Sequence, residues 1–126
     1  MTQPVLTLND GHAMPQIGFG LWQVPADQTA RVVAEGLAAG YRMIDGAAIY
    51  GNEEGLGEGL RRSDVPREQV FVQTKVWNSE QGRDATLRAA EASLKRIGQD
   101  YVDCLLIHWP CPQKGLYVET LSLIHI

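Results

Sequence analysis

A chain of 126 residues has the length of one ordinary domain, and 44% hydrophobic with 21% charged residues is a composition able to bury a core. The 11 Lys+Arg against 15 Asp+Glu give a net charge of -4 with neither sign gathered in a block, which excludes nucleic acid and points to a small-molecule partner. No basic leader opens the chain and no apolar run approaches the roughly 20 residues that cross a bilayer, so the expectation is a cytoplasmic location and no membrane partner.

In chain order, Val5–Leu8, the turn Asn9-Asp10-Gly11 and His12-Ala13-Met14 predict a β-hairpin. Strands are then expected from near Ile17, Met43, Phe71 and Val102, about 30 residues apart, the length of a strand-helix-strand unit. A helix fills each interval. The first runs from Pro25 or Asp27 to Ala39 with Val32, Val33 and Leu37 on one side, and Gly40 lets the chain leave it. The second runs from Glu53 to Arg62, with Asn52 as its N-cap and Glu53 and Glu54 suiting the dipole of the first turn. Gly55, Gly57 and Gly59 each cost that helix about 1 kcal/mol against alanine, so packing of Leu56 and Leu60 must hold it. The third spans Asp84 to Ile97, with Leu87, Ala90, Leu94 and Ile97 as an apolar stripe and Gly98 behind them.

Alternating strand and helix implies an α/β fold with a parallel sheet and right-handed crossovers. An open dinucleotide-binding sheet should carry G-x-G-x-x-G in its first turn, and Gly18-Phe19-Gly20-Leu21-Trp22-Gln23 fails at the third glycine and opens no helix. A TIM-type (β/α)8 barrel is favoured, of which this chain supplies about the first four β/α units with an N-terminal hairpin, an incomplete barrel. Residues 1–126 read as a single domain in which 111–126 stand apart as a tail. Such a barrel leaves edge strands and apolar faces open, inviting self-association.

Three apolar runs end on polar residues of different kinds: Met43-Ile44-Asp45, Val70 to Lys75, and Val102 to His108. Active sites of these barrels are built at the C-terminal strand ends, which places Asp45, Lys75 and His108, with Tyr50 just after the first run, around one basin. A free tyrosine titrates near pKa ~10, and a neighbouring ammonium such as Lys75 favours its ionised form. Asp45 would hold Lys75 in place and protonated, and a neutral His108 could orient a carbonyl oxygen toward the tyrosine hydroxyl. Each residue alone has an ordinary explanation, Lys75 as a solvated loop charge and Asp45 as a turn cap. Their complementary roles at consecutive strand ends argue for a shared site. His12 and His125 are read as hairpin and tail residues. Metal is not expected: Cys104 and His108 on one extended strand stand roughly 13 Å apart, too far to share an ion. With two cysteines in the chain, Cys104 is read as a small buried hydrophobe.

The segments Ile44-Asp45-Gly46-Ala47-Ala48-Ile49-Tyr50-Gly51-Asn52-Glu53, Thr74-Lys75-Val76-Trp77-Asn78 and Leu106-Ile107-His108-Trp109-Pro110 closely resemble the aldo-keto reductases. Among that family's branches the chain looks most like bacterial 2,5-diketo-D-gluconate reductases, of which Asn-Asp-Gly, Pro-Gln-Ile-Gly-Phe-Gly and Gly-Asn-Glu-Glu are typical. The resemblance implies a monomeric barrel that reduces aldehydes or ketones with NADPH, NADH being the alternative donor. It implies Tyr50 as proton donor, Lys75 and Asp45 as its activating pair, and His108 as the residue that positions the substrate carbonyl. Gly20, Leu21, Trp22 and Asp45 would line the cofactor side, and Trp22, Ile49, Trp77, His108 and Trp109 the substrate side. Two features depart from the pattern. Gly46 stands where the family usually has threonine, and Leu116 to Ile126 align with none of its segments, which suggests a truncated frame or a joined end. The family's phosphate-binding residues come largely from the last barrel units, so the alternative reading is an inactive fragment or a regulatory relative.

Overall fold

The computed structural model describes residues 3–124. The hairpin forms as expected, with β1 (Val5–Thr7) antiparallel to β2 (Ala13–Pro15) and Val5 opposite Pro15. Gly11 turns it at φ +86°, a left-handed value that glycine tolerates, and His12 N–H donates to Asp10 Oδ1 at 2.9 Å.

The repeat follows: β3 (Phe19–Gly20), α1 (Ala26–Ala38), β4 (Met43–Asp45), α2 (Glu53–Arg62), β5 (Phe71–Val76), α3 (Arg83–Ile97), β6 (Cys104–Ile107) and α4 (Tyr117–Ile124). The four later strands form one parallel sheet in sequence order, β3-β4-β5-β6, with Gly20 in register with Asp45, Asp45 with Gln73, and Lys75 with Leu106. An all-parallel sheet in sequence order is the beginning of a barrel wall, and its helices cover one face. Ile44, Val72 and Val70 pack there against Leu21, Val33, Leu37, Leu56, Leu60 and Ile97. The side chains alternating with them, among them Asp45, Gln73 and Lys75, stand on the other face.

Gly40 and Gly98 end α1 and α3 at φ +104° and +70°, so both expected stops hold. The stripe expected on α3 is displaced. Thr86, Ala89, Ser93 and Ile97 are its buried residues, and Leu87 is 46% exposed. Of the expected stripe Ile97 is fully buried, while Ala90 and Leu94 line an outer cavity of about 250 Å³ with Leu105 and Tyr101. The tail segment 117–124 forms α4, anchored where the fully buried Thr120 hydroxyl accepts from Gly82 N–H at 2.8 Å. His125 lies outside the described residues. Among the described residues no helix is long and apolar enough to cross a membrane.

Candidate active site

Asp45 closes β4, Lys75 stands one residue before the end of β5, and His108 follows β6 directly, its N–H bonded to Val76 O at 3.0 Å. Tyr50 reaches them from the 3-10 turn Ala48–Tyr50, which Gly51 terminates in the left-handed region at φ +68°. The four side chains meet. Lys75 Nζ is 2.7 Å from Asp45 Oδ1, 2.8 Å from Gly46 O and 3.4 Å from Tyr50 Oη. Its side chain is 13% exposed and that of Asp45 33%, so the pair is partly desolvated and stronger than a surface ion pair. Gln73 Nε2 donates a further hydrogen bond to Asp45 Oδ1. That glutamine, on the Asp45-Lys75 face of β5, was not singled out from sequence.

His108 stands edge-on to Tyr50, with ring centroids 5.7 Å apart at 87°, and edge-on to Trp77 at 5.1 Å. Burial, and then the Lys75 ammonium, hold its pKa below the ordinary 6.5, with Asp45 opposing. The folded chain therefore keeps His108 neutral at pH values where the unfolded chain has begun to take up a proton. Stability from this group is complete above about pH 6.5 and is lost as pH falls through the lowered folded value. His108→Gln is expected to flatten that acid-side slope, read from urea midpoints between about pH 5 and 7. An unchanged slope would show that other groups set it. The Cys104 thiol, half-buried on the same sheet, is pushed above its usual pKa chiefly by burial, which keeps it neutral as a packed hydrophobe would be.

Around this cluster Trp22 is 62% exposed with its ring 5.2 Å from that of Tyr50, and Ile49 and Trp109 are exposed too. Gly20 leaves the space beside Asp45 open, since even a Cβ there would come no nearer than 3.9 Å to the carboxylate. Leu21 departs from its expected place. The whole residue is buried, its side chain in the core and its N–H bonded to Asp45 O at 2.9 Å.

Asn52 takes the expected N-cap position of α2, but not by a cap bond. Its Nδ2 instead donates to Leu21 O and Val24 O, both at 3.0 Å. The loop it clasps carries Trp22 and holds Gln23 at φ +60°, a conformation non-glycine residues seldom adopt unaided. Asn52 therefore ties the Trp22 loop to the Tyr50 turn. The backbone does the same for Lys75: Gly46 contributes its carbonyl, so the missing threonine side chain at that position costs no contact to the ammonium. A larger cavity, about 910 Å³, opens beneath the hairpin among Asp10, His12, Arg42, Glu68 and Asp103, at the opposite end of the strands from this cluster.

Residues 16–125 match the model of the aldo/keto reductase family. The chain is 56% identical over 122 residues to an aldo-keto reductase of Mycobacterium sp. (strain KMS), covering 97% of this chain and 44% of that protein. It is 47% identical over 117 residues to the methylglyoxal reductase DkgA of Yersinia pestis, covering 93% and 42%. Among solved structures it resembles an aldo/keto reductase from Brucella melitensis, with TM-score 0.92, 52% identity and coverage of 97% of this chain and 47% of that one. A Gox0644 mutant in complex with NADPH gives 0.89, 48%, 97% and 44%. The chain thus spans somewhat less than half the length of these relatives.

Proposed function

Because the chain belongs to the aldo/keto reductase family, we propose that it carries the proton-donating half of an NADPH-dependent carbonyl reductase site, with Tyr50 as general acid. The observation that carries this reading is the chain of contacts from Asp45 to Lys75 Nζ and on to Tyr50 Oη, at 2.7 and 3.4 Å. When bound, NADPH supplies the hydride that adds to the carbonyl carbon. Tyr50 gives its hydroxyl proton to the carbonyl oxygen as that bond forms. The phenolate left behind faces the Lys75 ammonium, whose position is fixed by Asp45 Oδ1 and Gly46 O, so the charge is met without rearrangement. His108, edge-on to Tyr50 and with its pKa lowered by burial, would donate to the same oxygen and hold it toward the phenol.

The residues around the cluster fit a nicotinamide donor: Gly20 leaves room above Asp45, and the exposed Trp22 offers a flat apolar wall. A solved relative 48% identical to this chain was obtained with NADPH, which favours that donor over NADH. Trp22, Ile49, Trp77 and Trp109 give the substrate side an apolar, aromatic rim, suited to a small carbonyl compound.

Lys75→Met is expected to reduce NADPH-dependent reduction of methylglyoxal by about 10²-fold or more, the loss typical when a group stabilising transition-state charge is removed. The test is made in a protein of the relatives' full length carrying this chain as its N-terminal half. NADPH binding, followed by fluorescence quenching, is compared between that protein and the 126-residue chain. Turnover within a few-fold of the parent would refute the role given to Lys75. Weak quenching by the short chain alone is the expected result, because the other barrel units make their own contacts.

A further inference from the structure

Behind the Tyr50–Lys75 contact, on the helix side of the sheet, lies a buried polar network that the mechanism above does not use. Glu53, the first residue of α2, has a side chain 1% exposed. Its Oε1 accepts from the Thr74 hydroxyl at 2.6 Å, and its Oε2 accepts from Arg96 Nε at 2.7 Å. Arg96 is held in turn by Ser93 Oγ at 3.1 Å. Thr74 is fully buried and precedes Lys75 on β5, so by strand alternation its side chain points away from the face that presents Lys75. Glu53 follows Tyr50 by three residues, through the left-handed Gly51 and the Asn52 that clasps the Trp22 loop.

We propose that Glu53 is a positioning residue, which through Thr74 fixes the end of β5 bearing Lys75 against the turn bearing Tyr50. The inference rests on the role of the Tyr50–Lys75 pair given above. Three features carry it. Chain connectivity makes the Glu53 backbone the rear support of the Tyr50 turn. The short Thr74 bond attaches that support to the residue adjoining Lys75. A carboxylate taken out of water holds its donors closely, because leaving either oxygen unpaired is costly, so the link resists stretching. Arg96 supplies the compensating charge from α3. A network that merely joined α2 to α3 would need Glu53 and Arg96 alone; the bond to Thr74 brings in the strand.

The test reads the contact itself in the 126-residue chain, labelled with ¹³C at tyrosine Cζ. Four tyrosines give four resonances, and Tyr50→Phe identifies the one that matters. Lys75→Met is expected to displace it. Thr74→Val, which keeps shape and charge and removes only the hydroxyl, is expected to displace it in the same direction by less, leaving Tyr41, Tyr101 and Tyr117 in place. Thr74→Ser is expected to restore it. A Tyr50 signal that moves with Lys75→Met but not with Thr74→Val overturns the positioning role and leaves the proposed function standing. A signal indifferent to Lys75→Met removes the Tyr50–Lys75 pair and both conclusions with it. Displacement of all four signals by Thr74→Val would mark a general structural role and likewise overturn the proposal.

Discussion

Tyr50→Phe is expected to lower carbonyl reduction in the full-length protein by about 10² to 10⁴-fold, the usual contribution of a positioned general acid. The substitution removes one oxygen atom. The phenyl ring keeps its place 5.2 Å from the Trp22 ring and 5.7 Å from that of His108, and the turn is still closed by the Tyr50 N–H bond to Ala47 O at 3.1 Å. Binding of NADPH should therefore change little, and the loss should fall on kcat. Lys75 keeps Asp45 Oδ1 and Gly46 O as partners, so no buried ammonium is stranded to unfold the site. Steady-state kinetics with NADPH titrated separately by fluorescence separates the two effects. Turnover within a few-fold of the parent would mean that another group, or water, delivers the proton. A parallel loss of NADPH binding would instead mean that the hydroxyl supports the mouth.

The four candidate residues were legible in the sequence because each stands at, or just after, the end of an apolar run, and in a parallel sheet those ends share one rim. Residues whose place depends on a distant partner were not. Asn52 obeys the local rule for an N-cap, yet its amide turns to two carbonyls 28 and 31 residues earlier, which no local pattern announces. Leu21 follows a strand of two residues, too short for alternation to say which way it points, and its side chain joins the core. The pairing of Glu53 with Thr74 and Arg96 spans 21 and 43 residues. On α3, the rule that the larger apolar residues face inward holds for Ile97 and misses for Leu87, since Thr86, Ala89 and Ser93 take the buried positions instead.

Close approach of the helices is written in the glycines of α2, which local propensity counts only as a cost of about 1 kcal/mol each. In the fold, Gly55 and Gly59 face α1 and Gly57 faces α3. A Cβ on Gly55 would come within 2.7 Å of Thr29 Cβ, and one on Gly59 within 2.4 Å of Val33 Cβ. One on Gly57 would stand 1.8 Å from the carbonyl oxygen of Ile97. The first two clashes fall on Cβ atoms of α1, which move only with its backbone, and a Cβ on Gly59 would also stand 2.8 Å from the Ala30 carbonyl oxygen. The third is against backbone at the end of α3, where Gly98 N–H already bonds Leu94 O at 2.8 Å and fixes the turn. Gly57→Ala is therefore expected to destabilise the chain by about 3 kcal/mol or more, the upper range for overpacking, reduced by only about 1 kcal/mol of gained helix propensity. Urea denaturation followed by tryptophan fluorescence should show the midpoint fall well below the parent's. Because Ile97 belongs to the helix that also bears Arg96, the same substitution should disturb the Arg96–Glu53 pair, carrying a helix–helix clash toward Tyr50. A midpoint equal to or above the parent's would mean that α2 and α3 stand farther apart in solution than the Cβ distance allows, and that helix propensity alone governs this position.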